Sequence, residues 1–179
     1  MTDAIEDNLS IRVARPGDEE GLGLVMVSAF FSAFIGAVPE KDLDLSWSPE
    51  ISAASWQRYL ASPPDNGEFL LVAILDKQIV GLVLAGRPSG DEDYPVLVAS
   101  LQVLPSQHRQ GVGRQLLRAA GIKLRARGIH SWLIGCAREN PNCGVYPALG
   151  GVEHHRAPTT IDRFETIEIF YAWNDISEF

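Results

Sequence analysis

Six residues near the middle of the chain, His108-Arg109-Gln110-Gly111-Val112-Gly113, have the composition and spacing of an anion cradle. Glycine tolerates backbone conformations that other residues resist, and its missing Cβ lets a phosphate approach the main chain. From Val112 the pattern turns helical, with Val112, Leu116, Ala120 and Leu124 recurring every fourth residue along one face. The first N–H groups of a helix lack partners within it and, with the helix dipole, favour a negative charge. Upstream, Val96 to Leu104 is an apolar, β-branched run suited to a buried strand, and Pro105 stops it. Strand, glycine loop and helix start together predict a phosphate-binding site.

The charge distribution points the same way. Residues 1–93 carry 16 acids and 6 bases, residues 94–138 no acid and 7 bases, and residues 139–179 carry 7 acids and 2 bases. The loop and its helix are therefore a basic island in a chain of net charge −8. An anionic ligand is favoured there, whereas a nucleic acid would be repelled by the remainder and is not expected as a partner.

The positioning elements follow from periodicity and turn chemistry. Residues 9–15 alternate as a first strand, and Pro16 to Glu20 open a helix whose apolar stripe runs through Leu22, Val25, Met26, Ala29, Phe30, Ala33 and Phe34. Ser48-Pro49-Glu50 caps a second helix reaching about Ala61. Phe69 to Leu75 and Gln78 to Gly86 flank Asp76-Lys77 as a hairpin. After the central strand, loop and helix, Gly128 suits a helix end, Ser131 to Ala137 reads as a buried strand, and Cys143 to Leu149 as a short helix. Val152 to Thr160 and Glu165 to Trp173 form a closing hairpin. The order β-α-α-β-β-β-α-β-α-β-β predicts an α/β (α+β) fold, a mixed sheet with helices packed on it.

A chain of 179 residues without repeats or linkers is expected to be one domain spanning 1–179. The acidic, polar N-terminus is unlike a secretory signal, and no apolar run is long enough for a membrane span. A cytoplasmic protein is expected, with no membrane partner and with Cys136 and Cys143 as reduced thiols. No metal is expected: there is no CxxC pair, and His154 and His155 should face opposite sides of a strand. A dinucleotide-binding fingerprint would need glycine at Leu116, and a P-loop would need Gly-Lys-Ser/Thr; neither is present.

VASLQVLPSQHRQGVGRQLL resembles the cofactor motif of the GNAT superfamily of N-acetyltransferases, written Q/R-x-x-G-x-G/A, with His108 at its first position. Glu139-Asn140-Pro141 and Val145 to Gly151 resemble that family's second characteristic region. The resemblance implies a mostly antiparallel seven-stranded sheet flanked by about four helices and splayed between strands 4 and 5. It also implies transfer of an acetyl group from acetyl-CoA, an acyl-donor co-substrate, to an amine. Leu101, Gln102 and Val103 would pair with pantetheine, and a main-chain N–H near Val103 would polarise the thioester carbonyl. His108, Arg109, Gln110, Gly111, Val112, Gly113 and Arg114 would hold the pyrophosphate, with Asn140 also binding the donor. Tyr146 would act as general acid, since a phenol holds its proton at neutral pH.

The general base is not apparent. Many relatives carry a glutamate near the start of the central strand, where this chain has Leu97. Asp91, Glu92, Asp93 and Glu139, or a water, are the candidates. Phe30, Phe31, Phe34 and Trp47 fall in the region that would wall the acceptor site, and the acidic surroundings favour a cationic amine. The alternative is a non-catalytic acyl-CoA-binding or regulatory module of the same fold. The resemblance also implies a homodimer.

Overall fold

In a computed structural model, which describes residues 8–177 and 179, short-period alternation gives seven strands and helical periodicity gives four helices. The strands are β1 (Ser10–Val13), β2 (Phe69–Leu75), β3 (Gln78–Pro88), β4 (Val96–Val103), β5 (Trp132–Ala137), β6 (Val152–Ile161) and β7 (Phe164–Trp173). The helices are α1 (Glu19–Phe34), α2 (Pro49–Ala61), α3 (Val112–Arg125) and α4 (Val145–Ala148), with two short 3-10 turns at Glu40–Asp42 and Pro105–Gln107. Local chemistry sets the boundaries. Ser48 caps α2 by accepting the Ile51 N–H, and Pro49 occupies its first turn. Asp76 and Lys77 both take positive φ in the two-residue turn between β2 and β3, the twist that suits a tight hairpin.

One sheet runs in the order β1-β2-β3-β4-β5-β7-β6. Every neighbouring pair is antiparallel except β4 and β5, which are parallel. The mixed seven-stranded sheet and its four helices are those expected from the sequence. On one face, Val112, Leu116, Leu117, Ala120 and Leu124 of α3 are at most 1% exposed and pack with Val96, Val98, Trp132 and Ile134. Removing such a side chain down to alanine costs about 2–5 kcal/mol, so the α3 stripe fixes the helix firmly beside β4. On the other face Leu22 and Val25 of α1 pack on Val72, Leu82 and Leu84. Among the described residues no helix is long and apolar enough to cross a membrane.

Two expectations are corrected. Cys136 and Cys143 are joined as a disulfide rather than standing as free thiols. The Glu139 to Asn142 turn folds the chain back from β5, bringing the two Cα atoms to 5.9 Å. His154 and His155 do not face opposite sides of β6. The strand's register shifts between Glu153 and His155, so Glu153 pairs with Tyr171 and His155 with the adjacent Phe170. This bulge leaves His154 as an extra residue and turns both imidazoles to one side.

Candidate functional site

The two central strands part because their pairing stops early. β4 and β5 share only the pairs Leu97↔Leu133 and Val98↔Ile134. On the β3 side, Val98 faces Ala85 and Ser100 faces Leu84, so Ala99 bulges. Beyond this point β4 continues to Val103 with its β5-facing edge unpaired, which gives the splay expected between strands 4 and 5. A cleft of about 560 Å³ opens there. Leu101, Gln102 and Val103 form one wall, the loop residues His108, Arg109 and Gly111 with Val112, Gly113 and Arg114 of α3 form its end, and Asn140 and Tyr146 lie opposite. Ala29 and Ala33 of α1 also line it.

The loop geometry suits an anion. Arg109 and Gly111 both have positive φ, at 61° and 82°, and Gly111 sits at the N-cap of α3 with no side chain capping that helix. A Cβ at Gly111 would meet nothing within 4 Å, so the glycine is required by its backbone conformation and not by crowding. The first amides of α3 are therefore left to an outside acceptor. Arg109 and Arg114 are exposed on the cleft, and among the described residues neither is in an ion pair.

His108 turns back to β4, its Nε2 lying 3.0 Å from the Val103 carbonyl oxygen. A carbonyl can only accept, so this nitrogen carries the hydrogen. Gln110 is the one predicted residue outside the cleft lining; its side-chain amide donates to the Ser106 carbonyl at 2.9 Å and closes the turn.

Tyr146, on α4, is 8% exposed and packs against Tyr171 and Trp173 with ring centroids 5.6 and 6.3 Å away. Burial, with Tyr171 and Glu168 nearby, pushes its phenol up to about 12. It is a protonated donor throughout the neutral range. Asn140 closes its turn by accepting the Asn142 N–H at 2.9 Å and still faces the cleft.

The four acids considered as bases fare differently. Asp91 is held below the usual carboxylate range, first by its hydrogen bond with His154 and then by the Asp93 and Tyr94 amides. Burial pushes Glu139 up, but hydrogen bonds from Thr166 and Arg138 outweigh it and leave the group lowered. Glu92 and Asp93 are exposed in the β3–β4 loop. Ser100 and Gln102, the polar residues of β4, bond Met26 and each other.

Sequence reading missed Glu168. This β7 residue pairs with Ala137 and carries a carboxyl raised above its usual range by burial. Ala137 packs with the Phe30, Phe34 and Phe164 cluster, so Glu168 projects from the sheet face that also bears the aromatic group of α1. That group is tight: the Phe30 ring lies 5.0 Å from Phe34 and 5.2 Å from Trp47, all edge-on. Alternation along β7 (Thr166, Glu168, Phe170) was the available signal, an acid between two residues of one face.

Known proteins offer a comparison for both the fold and the cleft. Residues 66–150 match the family model for the acetyltransferase (GNAT) domain. No curated protein matches the chain in sequence. Among solved structures, a GNAT-family protein from Desulfovibrio desulfuricans is 16% identical with a TM-score of 0.71, covering 94% of this chain and 99% of its own. An N-acetyltransferase from Staphylococcus aureus is 18% identical with a TM-score of 0.68, covering 95% and 99%. The PaiA N-acetyltransferase from Thermoplasma acidophilum, in complex with coenzyme A, is 17% identical with a TM-score of 0.67, covering 90% and 97%. At these identities the likeness is one of fold.

Proposed function

We propose that residues 1–179 act as one catalytic unit that transfers an acetyl group from acetyl-CoA to a primary amine of a small molecule or peptide. The observation that carries this reading is one cleft lined by an uncapped helix N-terminus, an unpaired β4 edge and a tyrosine that keeps its proton. The coenzyme A complex of the T. acidophilum relative supports the choice of donor.

The residues present fit that donor. The amides from Arg109 to Arg114, flanked by two unpaired guanidiniums, suit a pyrophosphate. The free edge of Leu101 to Val103 suits an extended amide-bearing arm, which would add to the sheet as a strand does. When bound, acetyl-CoA supplies an activated thioester. A main-chain N–H near Val103 stabilises charge developing on the carbonyl oxygen. Glu168 takes a proton from the acceptor ammonium or amine, a role suited to a carboxyl raised toward neutrality by burial. Tyr146 gives its proton to the departing sulfur. Glu168 and the Phe30–Trp47 cluster, with the acids of the β3–β4 loop, favour a cationic acceptor with an apolar portion.

The test is thiol release from acetyl-CoA by the full chain across a panel of primary amines. Amine-dependent release that falls in Glu168→Gln and Tyr146→Phe supports the reading. Tight coenzyme A binding by calorimetry with no release on any amine favours the non-catalytic module.

A further inference from the structure

We propose that Asp91, His154 and His155 form a binding site for a divalent transition metal ion, with zinc as the reference ion. Two imidazoles and a carboxylate are the donor set that borderline cations such as Zn²⁺, Ni²⁺ and Co²⁺ prefer. One ligand atom from each residue lies within 4.8 Å of the others.

The bulge in β6 brings these donors together. On an unbroken strand His154 and His155 would point apart. Here Glu153 and Arg156 share the opposite face, pairing with Tyr171 and Ile169. They clasp each other across the bulge through two hydrogen bonds of 2.6 and 3.0 Å. Both imidazoles are consequently turned toward the β3–β4 loop.

Asp91 is held from behind by hydrogen bonds, as metal ligands usually are, and each imidazole rests against an aromatic ring. Asp91 Oδ1 accepts the Asp93 and Tyr94 amides at 3.0 and 3.2 Å, which leaves Oδ2 to face His154 Nε2 at 2.9 Å. The His154 ring meets Tyr94 edge-on at 4.9 Å, and Tyr94 is anchored by its hydroxyl to Asn174 Oδ1 at 2.6 Å. The His155 ring stacks on Phe170 at 4.4 Å with its plane tilted by 14°. Around a tetrahedral zinc, neighbouring donor atoms stand about 3.3 Å apart. The donors must therefore close by at most about 1.5 Å, a movement within reach of rotation by an exposed His155 side chain. Three protein donors leave a fourth position to water. No basic side chain is among the partners of these three residues in the described hydrogen bonds and ion pairs.

The site stands independently of the acetyl-transfer reading. Its test is calorimetric titration of the full chain with zinc chloride in chelator-free, non-reducing buffer, repeated with Asp91→Asn, His154→Ala and His155→Ala. Asp91→Asn keeps the oxygen that the loop amides use. The expected result is one zinc per chain, bound at least about tenfold more weakly in each variant, with melting temperatures in the absence of zinc unchanged. Tetrahedral-type visible bands with Co²⁺, lost in His155→Ala, are the second readout. Absence of saturable zinc binding overturns the proposal. So does binding that persists unchanged in the three variants, since that would place the ion elsewhere on the chain.

Discussion

Glu168 of β7 lies across Gly135 of β5, and a Cβ at Gly135 would run into the Glu168 carboxyl. The two strands are direct neighbours, Ala137 pairing with Glu168 and Gly135 with Phe170. The missing side chain thus gives the carboxyl a place over β5, the strand from which β4 parts. Gly135→Ala should push Glu168 aside, lowering kcat while leaving coenzyme A affinity within about twofold, because the proposed donor wall lies on β4 and α3. Overpacking of this kind costs about 1–3 kcal/mol, readable as a drop in melting temperature.

Glu168→Gln isolates the charge from the shape. The variant should lose about 10²-fold or more in kcat, with coenzyme A binding retained. The wild-type rate should rise with pH as Glu168 loses its proton, since only the carboxylate can accept one. Because burial raises this group, the acidic limb should lie above the ordinary carboxylate range. The limb should vanish in the variant. A pH–rate profile of kcat for both proteins checks this.

Tyr146→Phe should reduce thiol release by about 10²-fold with little change in melting temperature, because Phe keeps the packing against Tyr171 and Trp173. The phenol sits at about 12, so deprotonation of Tyr146 should produce no alkaline limb near 10. A kcat profile extended to the highest pH the fold tolerates is the check.

Gly111→Ala meets open space, so any effect comes from the backbone. A left-handed conformation costs an alanine about 1–2 kcal/mol. If the loop keeps that conformation to hold the pyrophosphate, coenzyme A affinity should weaken by about tenfold, measured by calorimetry.

Much of the architecture was legible because local signals agreed with one another. The α3 stripe, the Ser48-Pro49 cap and the Asp76-Lys77 turn each depend on residues close in sequence, and each boundary falls near its expected place. The splay was implied only by family resemblance; its physical basis is the bulge at Ala99 and the early end of β4–β5 pairing. What stayed hidden depends on register. Glu168 gains its raised carboxyl from strands brought together late in the chain, and nothing near it in sequence marks Gly135 as its neighbour. The His154–His155 pair was misread because period-two alternation assumes an unbroken ladder. Free thiols were expected for Cys136 and Cys143 from their number alone, whereas the turn between them decides their distance.

The most direct measurement is mass spectrometry of a single-turnover mixture of the full chain, acetyl-CoA and a cationic aralkyl primary amine. Direct transfer predicts N-acetylated amine formed in equal amount to free coenzyme A, with no acetyl group on the protein, and loss of both products in Glu168→Gln. Acetylated protein accumulating before the amine product, or coenzyme A released at the same rate without any amine, would contradict it.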